Sequence, residues 1–398
     1  MTQEPKIFPY IERLLQGAEV VWKPLGEVLK RTKGTKITAG QMKAIHKDKA
    51  PVKIFAGGKT FAFVDFEDIP EKDINQKPSI IVKSRGIIEF EYYDKPFSHK
   101  NEMWSYYSEN ENINIKYVYY FLKQQEPYFQ KLGSKMQMPQ IALPDTEKFQ
   151  IPLPPLSVQQ EIVRILDKFT QLEAELEAEL DCRKRQYEYY RNKLLTFNEI
   201  GGGTKIVWKT LGEVSKKISS GGTPKTTVSE YYNGEIPWLR TQEVGYGEIW
   251  DTSIKITEEA IKNSSAKWIP KDCVIIAMYG ATVGRVGINK IPLTTNQACA
   301  NIEVNEEIAN YKYIYYYLLN QYEYIKSLGA GSQTNINAQI VKSLKIPLPP
   351  LEEQQRIANI LDKFDTLVNS ISEGLPKEIA LCRKQYEYYR EKLLSFPS

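Results

Sequence analysis

The stretch Cys182–Phe197, CRKRQYEYYRNKLLTF, returns almost unchanged as Cys382–Phe396, CRKQYEYYREKLLSF, near the end of a 398-residue chain. A phrase of this length asks to be read first for internal period. The repeat widens in both directions. VWKPLGEV at Val21–Val28 returns as VWKTLGEV at Val207–Val214, and YVYYFL at Tyr117–Leu122 as YIYYYL at Tyr313–Leu318. IPLPPL at Ile151–Leu156 returns at Ile346–Leu351, and LDKF at Leu166–Phe169 at Leu361–Phe364. Between these edges, 30–114 and 216–310 share almost no run of identity. One unit has been duplicated, its frame kept and its contents replaced. The end of the phrase also precedes the first block, because Tyr10–Leu15 (YIERLL) echoes Tyr190–Leu195 and Tyr389–Leu394.

After each IPLPPL the apolar period changes to that of a helix. Ile162, Ile165, Phe169, Leu172, Leu176, Leu180, Tyr187, Tyr190 and Leu194 recur at mostly three- and four-residue steps, with no Gly or Pro before Gly201. This spacing predicts one helix of about 40 residues, roughly 60 Å, preceded by Pro154-Pro155 and capped by Ser157. The second copy repeats the stripe through Ile371 and then meets Gly374-Leu375-Pro376, which predicts a break. Two matched stripes predict an antiparallel coiled-coil pair. The blocks mix short strand-like runs (78–82, 273–278, 283–288) with Gly, Asn and Pro turns, and Gly201–Gly203 reads as a hinge. The expected fold class is α+β: two globular domains, 1–150 and 201–345, separated by two long antiparallel coiled-coil helices, 151–200 and 346–398, as a pseudo-twofold internal repeat.

Composition excludes several classes. No stretch is long and apolar enough to span a membrane, and Met1–Tyr10 lacks the order of a signal peptide, so the expectation is a soluble cytoplasmic protein. The four cysteines form no CxxC pair and only His46 and His99 offer imidazole, which disfavours a zinc site, a disulfide framework and histidine-based nucleophilic catalysis. Net charge is +4, but residues 21–150 carry +5 and 207–345 carry +2, while 157–197 and 352–396 carry −1 each. The cationic excess lies in the blocks, where a polyanion would be met.

Several motifs tempt. Ala56–Thr60 (AGGKT) ends like a phosphate-binding loop but has Lys53 where its first glycine belongs. The Pro154-Pro155 and Pro349-Pro350 pairs evoke amino-methyltransferases, yet Leu153 and Leu348 stand where a polar residue would hold the amine. Ser219–Lys225 (SSGGTPK) can bare backbone amides to a DNA phosphate or be an ordinary surface turn. Tyr313, Tyr315, Tyr316 and Tyr317 fit core positions better than base-stacking ones, and Cys182 and Cys382 fit packing roles. Tyr187, Tyr190, Tyr386 and Tyr389, with Arg191 and Arg390, form either a seam between helices or a partner surface.

IPLPPL followed by QQ, LDKF and QYEYYRxKLL, written twice around dissimilar blocks, resembles the specificity (S) subunits of type I restriction-modification systems. The likeness spans nearly the whole chain. In the second block Gly221–Pro224 (GGTP), Ile236–Arg240 (IPWLR), Tyr279–Gly284 (YGATVG) and Asn296-Gln297 also resemble elements of such target-recognition domains, whereas the first block matches only loosely. The resemblance implies a non-catalytic reader of double-stranded DNA with a bipartite target, one half per block. It implies two methyltransferase subunits and two restriction/translocase subunits as partners. No cofactor is expected on this chain; S-adenosylmethionine, ATP and Mg2+ belong to the partners. Candidate DNA contacts are Gly222, Thr223, Lys225, Arg240, Tyr279, Thr282, Arg285, Asn296 and Gln297, with Lys30, Arg31 and Lys33 in the first block. The alternative is a coiled-coil scaffolding protein with two protein-binding domains.

Overall fold

The words at the two edges of each block are short extended runs, and such runs satisfy their backbone groups by pairing. In the computed structural model, which describes residues 8–134, 138–197, 206–329 and 335–397, they pair with each other. Val21–Pro24 runs antiparallel to Gln150–Leu153 with Trp22 opposite Pro152, and Val207–Thr210 runs antiparallel to Lys345–Leu348 with Trp208 opposite Pro347. Each ribbon has two strands only, so the N–H that proline lacks faces away from any ladder. The repeated edges therefore close each block upon itself.

The chain divides into two units, residues 1–177 with 378–398, and residues 178–377. In the first, a four-stranded antiparallel sheet is ordered Lys30–Arg31, Trp104–Tyr107, Ser79–Lys83, Glu89–Tyr93. A three-stranded sheet is ordered Phe61–Val64, Val52–Phe55, Phe97–His99, its last pair parallel. Helix Ile115–Gln124 covers the larger sheet, burying Tyr117, Val118 and Phe121 with Ile80, Val82 and Phe90. Ala56–Thr60, the phosphate-loop lookalike, is the hairpin turn of the smaller sheet, with Ala56 N–H bonded to Thr60 O at 3.0 Å.

The second unit carries a five-stranded sheet ordered Ser215–Ser220, Cys299–Val304, Val274–Ala277, Val286–Asn289, Gly247–Ile249. A four-stranded sheet is ordered Lys255–Ile256, Tyr232–Leu239, Leu293–Thr295, Trp268–Ile269. The strand expected over 283–288 begins only at Val286, because Gly280–Thr282 forms a 3-10 turn and Gly284 adopts φ +82°.

Inside each unit the remaining repeated words form one latch. Tyr117 OH donates to Pro152 O at 2.9 Å and Tyr313 OH to Pro347 O at 2.6 Å, tying the tyrosine helix to the closing ribbon. Asp167 of the first LDKF accepts from Lys116 Nζ at 2.8 Å and Tyr120 OH at 2.5 Å; Asp362 of the second accepts from Lys312 at 2.6 Å and Tyr316 at 2.7 Å. Gln159 donates to Pro154 O and accepts from Asn114 N–H, as Gln354 does with Pro349 and Asn310. Each latch couples a side chain on the recognition block to a partner on the helix that follows it. Tyr313, Tyr315, Tyr316 and Tyr317 are accordingly buried.

Helix Leu156–Leu195 has 40 residues, as its period predicts. It starts one residue before Ser157, which therefore lies within its first turn and does not cap it. Up to Glu177 it belongs to the first unit, where Val158, Ile162 and Leu166 are buried in the core, each stabilising by about 1.5–3 kcal/mol; from Ala178 it belongs to the second. In the first unit it packs antiparallel to the later part of helix Gly374–Leu393. Phe169 stacks on Tyr389 with ring centroids 5.4 Å apart, and Arg383 reaches Glu173 at 2.6 Å and Glu177 at 2.5 Å. Cys382 is buried here, but Cys182 is exposed and so does not pack as expected.

The interruption of the second helix lies at 370–373, between helices Leu351–Asn369 and Gly374–Leu393, slightly before the expected Gly-Leu-Pro. Gly374 has φ +75° and no room for a Cβ, which would stand 2.5 Å from Thr366 O. Leu375 and Pro376 then enter the new helix at its first turn, where proline costs nothing. The expected hinge at Gly201–Gly203 lies outside the described residues.

Candidate nucleic-acid interface

Strands that pair in parallel end at the same edge of a sheet. Tyr232–Leu239 and Leu293–Thr295 do so, with Leu239 opposite Thr295, so that Arg240 and Asn296-Gln297 leave the sheet side by side. Asn296 N–H donates to Leu239 O at 2.9 Å. The SSGGTPK loop joins this edge: Gly222 N–H donates to Thr295 O at 2.9 Å, Trp238 Nε1 donates to Gly222 O at 3.0 Å, and the Thr223 hydroxyl donates to Gln297 Oε1. Thr223, Lys225 and Gln297 are exposed, and Arg240 and Asn296 half-exposed. The Thr241–Glu243 turn touches the Gly280–Thr282 turn, which brings exposed Tyr279 towards the same edge.

Arg240 is oriented rather than free. Its Nε donates to Glu243 Oε1 at 3.3 Å, and the other Glu243 oxygen accepts from Ser253 N–H and Oγ at 2.7 and 2.6 Å. Burial pushes the Glu243 carboxyl up, but the Ser253 and Arg240 donors outweigh it and hold the group below its ordinary value. The site thus presents a hydroxyl, two amides, a fixed guanidinium and a mobile ammonium, a set able to meet phosphate oxygens and base edges.

Three expected contacts are placed elsewhere. Gly222 is buried and its amide is already bonded to Thr295; a Cβ on Gly221 would stand 1.9 Å from Thr295 O, and one on Gly222 2.4 Å from Ser265 C. These glycines are required by the chain's own strands, which leave no room between them for a methyl group. Thr282 is buried, its carbonyl accepting from Arg285 N–H at 2.9 Å. The Arg285 guanidinium lies over the Tyr246 ring at 5.5 Å, with Nε buried and unpartnered among the described residues. Thr282 and Arg285 support the edge from behind.

In the first unit Lys30 is spent on Glu109, Nζ to Oε2 2.5 Å. Arg31 and Lys33 are exposed, and the turn that carries them is seated on buried His99. His99 Nδ1 donates to Lys100 O at 3.0 Å and Nε2 accepts from Thr32 Oγ1 at 2.9 Å, while the Ser105 hydroxyl bonds Thr32 in turn. A Cβ on Gly34 would stand 2.3 Å from His99 O. Both ring nitrogens are hydrogen-bonded. Burial pushes His99 below its ordinary value of 6.5; Arg31 adds to this, and the Lys100 carbonyl, Asp73 and Glu102 oppose it. A depressed histidine gives stability that is fully present above the unfolded value and is lost as pH falls below it. We therefore expect the unfolding free energy of the first unit, read by urea denaturation, to fall between pH 7 and pH 5, by up to about 1.4 kcal/mol per pH unit. In His99→Gln the drop should disappear; an unchanged pH profile would show that another group titrates.

The repeated tyrosines divide by face. Tyr187 is buried and Tyr386 half-buried, each with an arginine over its ring, Arg191 at 5.3 Å and Arg390 at 5.2 Å. Tyr190 and Tyr389 stack on Phe364 and Phe169 at 5.6 and 5.4 Å. All four pack in the helix seam, Tyr190 and Tyr389 while staying 40% and 36% exposed. More than half exposed instead are Tyr189 and Tyr388, which sequence reasoning passed over, with Lys193 and Lys392 over their rings at 5.7 and 5.8 Å. The signal that would have found them is the helical step: they stand two positions from the buried tyrosine, on the opposite face.

Among the described residues no cluster of three or more His, Cys, Asp or Glu is placed to hold a metal, and no helix is long and apolar enough to cross a membrane. The model of the type I restriction modification DNA specificity domain matches this chain twice, over residues 19–181 and 205–381. The chain belongs to the type I specificity subunits. It is 39% identical to the EcoR124I/EcoR124II specificity subunit of Escherichia coli over 98% of this chain and 97% of that one. It is 30% identical to a putative type I specificity subunit of Haemophilus influenzae over 97% and 98%. The S subunit of M. genitalium has the same fold, with a TM-score of 0.62 at 17% identity over 96% of this chain and 98% of that one. As a specificity subunit the chain recognises a DNA target, and the two family matches coincide with the duplicated frame.

Proposed function

We propose that this chain is the non-catalytic reader of a type I restriction-modification enzyme in the cytoplasm, taking a bipartite duplex target with one half per block. Residues 1–150 and 201–345 do the reading; 151–200 and 346–398 space the readers and carry the partners. The observation that supports this is the latch. The same tyrosine, lysine, glutamine and aspartate contacts occur in each unit beneath interiors that share no pattern, as expected where a constant frame presents interchangeable readers. In the second block the contacts are Thr223, Lys225, Arg240, Tyr279, Asn296 and Gln297. Two methyltransferase and two restriction subunits complete the enzyme, and they bind the S-adenosylmethionine, ATP and Mg2+. Mapping methylated adenines in cells that express the chain with its methyltransferase tests this reading: a split motif is expected, and a contiguous one would overturn it.

Each unit carries a partner surface centred on the exposed tyrosine of the repeated phrase, Tyr388 in the first and Tyr189 in the second, with Arg390 and Arg191 beside the neighbouring tyrosine rings. Tyr189→Ala with Tyr388→Ala should cut co-purification of the methyltransferase at least about tenfold, since exposed aromatics are the usual anchors of an interface. Stability should change by no more than about 0.5 kcal/mol, as for other surface substitutions. Undiminished co-purification would move the partner to another face.

A further inference from the structure

The first block, whose sequence matches the family's recognition elements only loosely, holds a cationic cleft of about 390 Å³ lined by Arg31, Lys33, Gly34, Lys72, Asp73 and Asn101. Three separate segments build it. Arg31 ends a strand paired to Tyr106, Lys33 and Gly34 follow in the turn held by His99, Lys72 and Asp73 lie in the 3-10 turn Glu71–Asp73, and Asn101 follows strand Phe97–His99. The segments are cross-tied. Thr32 N–H donates to Ser105 O at 2.9 Å, Thr35 N–H to His99 O at 2.8 Å, and Asn75 Nδ2 to Lys33 O at 3.3 Å.

Among the described residues Arg31, Lys33 and Lys72 take part in no ion pair, whereas nearby Lys30, Lys53, Lys83 and Lys100 all do. Three unpaired cations face one carboxylate, Asp73, and all three side chains are exposed along with Asn101. Folding alone gives no reason to hold like charges together around a concavity. An anion with several acceptor oxygens at fixed spacing does, and a nucleic-acid backbone is such an anion.

We propose that this cleft is the phosphate clamp of the first recognition domain, with Arg31, Lys33 and Lys72 contacting the duplex backbone on a floor held rigid by His99. The proposal rests on the DNA-reading function above. Phosphate contacts place a domain in register without carrying sequence information, so the clamp fixes where the base-reading side chains of this block enter a groove.

The test is binding of the full chain to a random-sequence duplex of about 40 bp across a salt series, where each lost phosphate contact removes about 0.9 from the slope of log K against log salt. Lys33→Gln and Lys72→Gln should each flatten the slope by about one, and together by about two. Lys30→Gln should leave it unchanged, because that cation is spent on Glu109. Native slope in the Lys33/Lys72 double variant, or equal flattening by Lys30→Gln, overturns the clamp while DNA reading stands. A native chain that binds no duplex at any salt overturns DNA reading and the clamp together.

Discussion

Gly221→Ala should strongly destabilise the second unit, while Thr223→Ala, two residues away, should leave its stability nearly native and weaken only DNA binding. The added methyl of Gly221→Ala meets Thr295 O at 1.9 Å, a backbone atom in a strand paired on both sides. No rotamer relieves this; either the SSGGTPK loop or the four-stranded sheet must move. A backbone clash in a core of this kind costs about 4 kcal/mol, which for a unit of this size lowers its melting midpoint by about 8–16 °C. The Thr223 hydroxyl bonds only the exposed Gln297, so its removal should cost less than about 0.5 kcal/mol of stability. The same change should weaken target binding by about 1 kcal/mol. Thermal denaturation and DNA binding of the two variants decide the matter. A Gly221→Ala chain that melts like the native one would show that the loop is free of the sheet and available to DNA after all.

Exchange of residues 30–145 for the block of another specificity subunit should change one half of the target and leave the other half intact. A half-site of several base pairs, each worth about 1–3 kcal/mol, implies reversal of preference by a thousandfold or more. The structure says what the donor block must supply. Lys116, Tyr117 and Tyr120 lie within the exchanged segment but bond Asp167 and Pro152 outside it. Thr146, just beyond the boundary, is buried and receives hydrogen bonds from Trp104 Nε1 and Tyr106 OH within the block, at 3.2 and 2.7 Å. A donor lacking both aromatics leaves the buried Thr146 hydroxyl with only its bond to the carbonyl at position 143, at about 1 kcal/mol per lost hydrogen bond. Methylation mapping of the chimera reads the result. Change in both halves, or in neither, would sink independent reading by the two blocks.

Much of this architecture is legible in the chain because duplication leaves its mark in one dimension. The frame words, their near-constant offset and the 40-residue apolar stripe need only local pattern, and the helix they imply is the helix found. The partners within the frame were not legible. Nothing in VWK or IPL says that the first and last words of a block are paired strands, or that the aspartate of LDKF accepts from the lysine and tyrosine of a helix about 50 residues earlier. Such contacts depend on which surfaces meet after folding.

The candidate site divides in the same way. Thr223, Arg240, Asn296 and Gln297 were recognisable as residue types suited to DNA, and a parallel strand pair gathers them at one edge. Gly222 and Thr282 belong to the same sequence motifs, yet both are buried, and the Gly222 amide is bonded to Thr295 inside the protein. Lys72, which we propose for the clamp, was invisible, since a lysine in a polar turn shows nothing until two other segments bring Arg31, Lys33 and Asn101 beside it. By itself the sequence determined that this protein has two dissimilar blocks in one repeated frame, since period and composition are properties of the chain. Which polar side chains stand exposed together was decided only by the tertiary structure, because exposure and pairing are properties of surfaces that exist only once the chain has folded.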